Sequence, residues 1–357
     1  MGQKCPIVKE GFSMIPKIIE AQQKLVPEMM ELLHQRYKVL KFIEVAGPIG
    51  RRPLGQMADI SERECRNLME TLRTEGLIRV AKEGATITND GATVLDSLGP
   101  TIDEWTGQGL IARKLAELLG IQNVQIVPGN CDENAAVKSL IGKEAAAEFM
   151  NRIGDGRIIA VTGGSSVAAI PQHIQSIEDA DRLHFIAARG GVGDDIGLQA
   201  NVIAASFAEA SGGTYSTFYY PESLSVEAHE VFKREPTAIQ MMELYKKTDC
   251  VLHGIGDALR MADLRNTPEN ECLHLREQGA KGEAFGYYFD DKGNVVHRIR
   301  TVGIQTNQLE NVPLIIAVAG GKSKAEAIMS YMESAPRQTT LVTDEGAARA
   351  MLAKVEG

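Results

Sequence analysis

The sequence predicts a two-part chain: an N-terminal, mainly α winged helix-turn-helix, then an α/β, Rossmann-like body with a largely parallel sheet. Three observations predict it. Two short amphipathic helices, a turn and an alternating stretch follow one another over residues 51–88. After residue 120, seven apolar runs of strand length alternate with helical patterns. Several of those runs end in glycine pairs, as in Thr162-Gly163-Gly164-Ser165-Ser166.

At 357 residues the chain is long enough for two or three domains. Its 44% hydrophobic and 24% charged residues are ordinary for a soluble globular protein. No apolar run approaches the ~18 residues of a membrane span, and the first 20 residues hold no apolar stretch of a secretory signal. Five scattered cysteines without a C-x-x-C pair argue against a zinc site or a disulfide framework and suit a reducing cytoplasm. Net charge is −9, yet residues 31–82 carry +3 and the remainder −12. A basic module on an acidic body suits an arm that binds a polyanion.

Residues 1–15 lack a period and read as a tail; the first module is expected over 16–90. Ile18, Ile19, Leu25, Val26, Met29, Leu32, Leu33, Val39, Leu40, Phe42 and Ile43 recur at helical spacing. Pro27 breaks or restarts that helix, and Gly47-Pro48-Ile49-Gly50 ends it. A short helix follows, with Pro53 near its start and Leu54, Met57 and Ala58 inward. Asp59-Ile60 makes the turn. Ser61 is a good N-cap for the next helix, and Glu64 stands where a capping box needs it. That helix gathers Cys65, Leu68, Met69 and Leu72 on one face and leaves Arg63, Arg66, Asn67 and Arg73 elsewhere. Residues 77–88 alternate around a turn at Gly84, which predicts a hairpin.

In a DNA-binding reading the helix from Ser61 to Thr74 enters the major groove. Arg63, Arg66 and Asn67 reach base edges, because arginine and asparagine offer bidentate patterns to guanine and adenine. Arg51, Arg52 and Lys82 hold phosphates, which fixes register rather than sequence. The competing reading is a small helical oligomerisation domain with solvated charges. Residues 91–120 read as linker helices broken at Pro100. They hold the single tryptophan, Trp105, and an apolar stripe of Leu110, Ile111, Leu115, Leu118 and Leu119 for the core or a dimer contact.

The body is expected over 121–357, with strands at 124–127, 158–162, 183–187, 215–219, 250–253, 314–318 and 340–342. Runs at 285–289 and 295–300 read as an inserted hairpin. Ligands of such folds gather beyond the carboxyl ends of strands. There the chain places TGGSS (162–166), Arg189-Gly190-Gly191, HGIGDA (253–258) and AGGKSK, which carries Lys322 and Lys324. Glycine lets backbone approach a ligand, and hydroxyls at a helix start suit an anion. Two separated cationic spots suit a small molecule with two anionic ends. Neither glycine loop is a P-loop, nor is GGVGDD a dinucleotide fingerprint. His173, His184, His229, His253 and His274 are spread out and read as structural. Glu283 suits either a base or an acceptor for a sugar hydroxyl, and Asp194-Asp195 either role or a helix cap. No nucleophile–base pair or metal spacing stands out, so no catalytic residue or metal site is expected.

The phrases PIGRRPLGQMADISERECRN, IAVTGGSS, ARGGVGDDIGLQAN, HGIGDALRMADLRNTP, EAFGYYFD and IAVAGGKSKAEAI resemble the SorC family of bacterial sugar-responsive transcription regulators. The resemblance runs from about residue 20 to the end. It implies a cytoplasmic repressor of a glycolytic operon, not an enzyme, that binds a double-stranded DNA operator as a homodimer or a tetramer. It implies no cofactor and an effector, fructose 1,6-bisphosphate, in a body resembling sugar-phosphate isomerases and deaminases. Carried onto this chain, Gly163, Gly164, Ser165 and Ser166 cradle one phosphate. Arg189 and Lys324 supply charge, and Gln199 and Glu283 bind polar groups. Relatives carry two basic residues where this chain has Leu264-Arg265, and the role falls on Arg265. Serines at 165 and 166 stand where threonines are expected and keep the hydroxyls. The alternative function is a sugar-phosphate isomerase or deaminase with a fused helical domain.

Overall fold

The computed structural model describes residues 25–105, 108–177, 179–189, 195–220 and 224–356. The expected tail, Ile18, Ile19, Gly190, Gly191 and Asp194 lie outside them. The chain divides into two compact units, Met1–Leu110 and Ile111–Gly357.

In the first unit, Pro27 opens the helix Pro27–Ala46 at its first position, where its missing N–H costs nothing. Tyr37, Val39, Leu40, Phe42 and Ile43 are buried, whereas Leu25, Val26, Met29 and Leu32 are exposed, so only the second half of the apolar pattern is core. Helix Arg51–Ala58 buries Leu54 and Ala58. Asp59 turns the chain in the left-handed region (φ 55°). Ser61 accepts the Glu64 N–H and starts helix Glu62–Thr74, with Cys65, Leu68, Met69 and Leu72 buried. Only the Ser61 half of the expected capping box is made. Strands β1 (Ile78–Val80) and β2 (Ala85–Ile87) form the expected hairpin. It closes on the first helix's end through a bridge from Ala85 to Ile49. Helix Asn89–Trp105 runs through Pro100, against the expected break there. A proline removes one N–H and crowds one turn, and Leu95 and Ile102, buried on either side, hold the helix across it.

The second unit, which takes up helix Gln108–Leu119 from Ile111, is built on a seven-stranded, wholly parallel sheet. Its strands are β3 (Asn123–Val127), β4 (Ile158–Val161), β5 (His184–Ala187), β6 (Thr214–Ser216), β7 (Cys250–Gly254), β12 (Leu314–Val318) and β13 (Thr339–Asp344). The order is β3-β13-β12-β7-β4-β5-β6. The central strands are unbroken apolar runs, as a sheet covered on both faces requires. All seven expected strands are present, though β6 stops at Ser216 instead of Tyr219.

A second, antiparallel sheet stands beside it in the order β11-β10-β9-β8. Its strands are β8 (Gly256–Asp257), β9 (Gly282–Ala284), β10 (Tyr287–Phe289) and β11 (Val295–Arg298). The expected hairpin is only its outer half, β10 with β11. Phe285 belongs to a turn rather than a strand. With Gly286 it forms the two-residue link from β9 to β10, at φ 55° and 82°. Strands of two and three residues have no alternation to read, so β8 and β9 escape the sequence.

Candidate functional site

The carboxyl ends of β12, β7, β4 and β5 lie side by side. After β4 the chain turns at Gly163. A Cβ there would meet the Leu198 carbonyl oxygen at 2.6 Å, so any side chain forces the backbone to shift. Gly164 lies at φ 108°, facing open space, and its N–H donates to Leu198 O at 2.9 Å. Ser165 and Ser166 begin the short helix Ser165–Ala168. Their N–H groups and that of Val167 meet no acceptor among the described residues. Gln199 lies next to Leu198 and begins helix Ala200–Ser211, so it adjoins the turn.

Arg189, Arg265 and Glu283 converge from three separate segments. Glu283 Oε1 accepts from Arg189 at 3.1 Å, from Arg265 at 3.0 Å and from the Gly286 N–H at 2.6 Å. Both guanidinium side chains are 5% exposed. Arg265 also donates to the Tyr288 hydroxyl at 2.8 Å. Burial pushes the Glu283 pKa up, but Arg265, Arg189 and the Gly286 N–H outweigh it and hold the carboxyl below its usual range. Two cations therefore meet on one carboxylate oxygen. Of the Leu264-Arg265 pair, Arg265 points inward, and Leu264 is 50% exposed.

Lys324 follows the glycine pair after β12. Its Nζ donates to the Ile255 carbonyl at 3.2 Å. Burial first, then the charges of Lys138 and Arg260, lower its pKa. Lys138, absent from the sequence reading, donates to Ser165 Oγ at 3.0 Å. It lies in a helix with no glycine turn beside it, so only the fold reveals it. Taken together, the strand ends offer serine hydroxyls and lysines at one place and a charged arginine pair at another.

The other glycine turn is closed by the protein itself. The Gly321 N–H donates to Asp344, the Lys322 N–H to Asn130 and the Ser323 N–H to Asp132, at 2.7, 3.1 and 2.7 Å. Sequence reading grouped this turn with the others and missed these three acceptors. Among the histidines, His173 pairs with Ser139, His184 with Thr214 and Ser216, and His229 with Tyr220. His253 is fully buried against Phe285 and Tyr331, and burial lowers its pKa to about 4. Asp195 caps a short helical turn through the Gly197 N–H. The described residues contain no cluster of metal-ligating side chains and no helix long and apolar enough to cross a membrane.

In the first unit, Arg63, Arg66 and Asn67 stand exposed on helix Glu62–Thr74, and Ser61 is spent as its cap. Arg51 and Arg52 lie 4.0 and 3.5 Å from Glu62. Arg73 is held by Glu70 at 2.6 Å. Two of the expected phosphate contacts therefore share an acid, and Arg73 turns to a neighbour on its own helix.

A family model of a sugar-binding domain matches residues 103–353, and one of the CggR N-terminal DNA binding domain matches residues 32–102. The central glycolytic genes regulator of Bacillus subtilis is 38% identical over 94% of this chain and 98% of its own length. The structure of a SorC family transcriptional regulator from Enterococcus faecalis matches at a TM-score of 0.64 and 38% identity, over 68% of this chain and 99% of that one. The full-length sorbitol operon regulator SorC of Klebsiella pneumoniae shares the fold at a TM-score of 0.63 and 15% identity, over 88% of this chain and 98% of its own.

Proposed function

The chain belongs to the SorC family of sugar-binding transcriptional regulators, and from that premise we propose that it represses a glycolytic operon until fructose 1,6-bisphosphate binds its body. The observation that carries this reading is the pair of cationic centres at neighbouring strand ends. One is Lys324 with Lys138 at Ser165. The other is Arg189 and Arg265 on Glu283. A sugar with a phosphate at each end suits two such centres, with Gln199 and Glu283 assigned to its polar groups. Glu283, kept ionised by two arginines, is a poor general base. That supports a binder over an isomerase or deaminase.

Residues 16–90 act as a winged helix-turn-helix. Helix Glu62–Thr74 lies in the major groove, Arg63, Arg66 and Asn67 reach bases, and the hairpin serves as the wing. Residues 91–120 link and pair two copies, and residues 121–357 hold the effector. The dimer, or a tetramer of two dimers, grips the operator. The effector weakens that grip only through its differential affinity for the arrangements with and without DNA. Arg66→Ala is expected to cost about 1–3 kcal/mol of specific DNA binding and to leave effector binding intact.

A gel-shift titration tests the reading. Millimolar fructose 1,6-bisphosphate is expected to release the operator fragment. Unchanged binding and assembly would exclude the mechanism.

A further inference from the structure

Lys138 is a cation that the sequence did not point to, and its part in the cationic centre at Ser165 can be made specific. It lies in the first turn of helix Val137–Arg152, and its Nζ donates to Ser165 Oγ at 3.0 Å. The placement is built in. One turn further along the same face, Gly142 lies so close to Ala169 that a Cβ would meet its carbonyl oxygen at 2.3 Å. Ser139 bonds His173 at 2.9 Å and Gln172 at 3.3 Å. Helix and turn are thus docked at three points, and Lys138 is delivered to the serine. Two further cations act on the same place. Lys324 bonds the Ile255 carbonyl rather than a carboxylate, and Arg260 adds to the field felt by its ammonium. None of the three makes an ion pair among the described residues. Asp132, the nearby acid, accepts two hydrogen bonds from Ser323 and offsets only part of the repulsion at Lys324, where burial and the two cations prevail. Like charges gathered in one place cost energy that a ligand's negative charge relieves.

Resting on the sugar-phosphate reading above, we propose that Lys138 is a phosphate ligand. On binding, its Nζ leaves Ser165 Oγ for a phosphate oxygen, and with Lys324 it makes this end of the pocket choose a phosphate ester over an unphosphorylated sugar. A flexible ammonium suits this exchange as a mobile point charge.

Calorimetric titration of the full chain tests it, with fructose 1,6-bisphosphate, inorganic phosphate and fructose as probes. Lys138→Met is expected to weaken both phosphate probes by about ten- to a hundred-fold, with fructose unaffected. Lys138→Arg is expected to stay within a few-fold of wild type. Lys138→Gln keeps a donor for Ser165 without the charge and is expected to fail as Lys138→Met does, which keeps the test open if the methionine variant misfolds. Phosphate affinities for Lys138→Gln or Lys138→Met equal to wild type overturn the proposal and leave the pocket reading standing. A wild-type chain that binds neither phosphate probe overturns both.

Discussion

Two glycine pairs follow strands of the same parallel sheet, and they take nearly the same backbone path. Gly164 lies at φ 108°, ψ 154° and Gly321 at φ 104°, ψ 133°. After β4, the N–H groups of Ser165, Ser166 and Val167 remain open among the described residues. After β12, the N–H groups of Gly321, Lys322 and Ser323 are taken by Asp344, Asn130 and Asp132, whereas of their counterparts Gly164, Ser165 and Ser166 only Gly164 is bonded among the described residues, to the Leu198 carbonyl. A glycine turn is therefore an anion cradle only where the protein has not supplied the anion itself. The first turn leaves its N–H groups open, as the proposed effector site needs. The second is a joint that precedes Lys324.

That division predicts different penalties. The largest belongs to the closed turn. Asp344 accepts the N–H groups of Cys131, Gly321 and Ala347 in a fully buried place. Asp344→Ala strands two buried donors and one partly buried one and is expected to destabilise the body by about 3–5 kcal/mol in urea unfolding. A loss below about 1 kcal/mol would show that the closed turn is not a structural joint.

The strand between the two turns, β7, carries His253. Its folded-state pKa, about 4, lies below the ordinary 6.5. Between those values the unfolded chain binds more protons. Stability is therefore complete above pH 6.5 and is expected to fall, by on the order of 3 kcal/mol, as pH drops through about 4. His253→Phe is expected to flatten that slope, as read by unfolding at pH 4 to 8. An unchanged slope would assign the acid sensitivity to other groups.

Gly163→Ala drives a methyl into the Leu198 carbonyl, at an expected cost of about 1–3 kcal/mol, and it shifts the open turn, so effector affinity falls with stability. The smallest stability effect is expected at Ser165→Ala. Its hydroxyl is exposed and bonded to Lys138, and its loss should move the unfolding midpoint by less than about 0.5 kcal/mol while weakening phosphate binding. The contrast breaks down if Ser165→Ala destabilises as Asp344→Ala does.

Much of this was legible in the sequence, for reasons that differ by element. The seven strands of the large sheet are long apolar runs bounded by turns, so local pattern suffices. Ser61, Asp59 and the hairpin after Ile78 are equally local. Pro100 misleads because a single missing N–H does not outweigh the packing of Leu95 and Ile102 on either side. In the site, Arg189, Arg265 and Glu283 are legible as residue types, and their meeting is not. Glu283 lies 94 residues from Arg189, and only the Phe285-Gly286 turn aims the Gly286 N–H back at its carboxylate. The closing of the second turn is invisible for the same reason, since Asp132 is 191 residues from Ser323. Sequence reveals where a turn is, and tertiary structure decides what fills it.

The most direct measurement is a crystal structure of the chain with fructose 1,6-bisphosphate. One phosphate is expected on the N–H groups of Ser165 and Ser166 with Lys324, the other at Arg189 and Arg265, and Asp132 is expected still on Ser323. A phosphate seated on Gly321 to Ser323 with Asp132 displaced, or a body that takes up no bisphosphate at saturating concentration, would contradict the account.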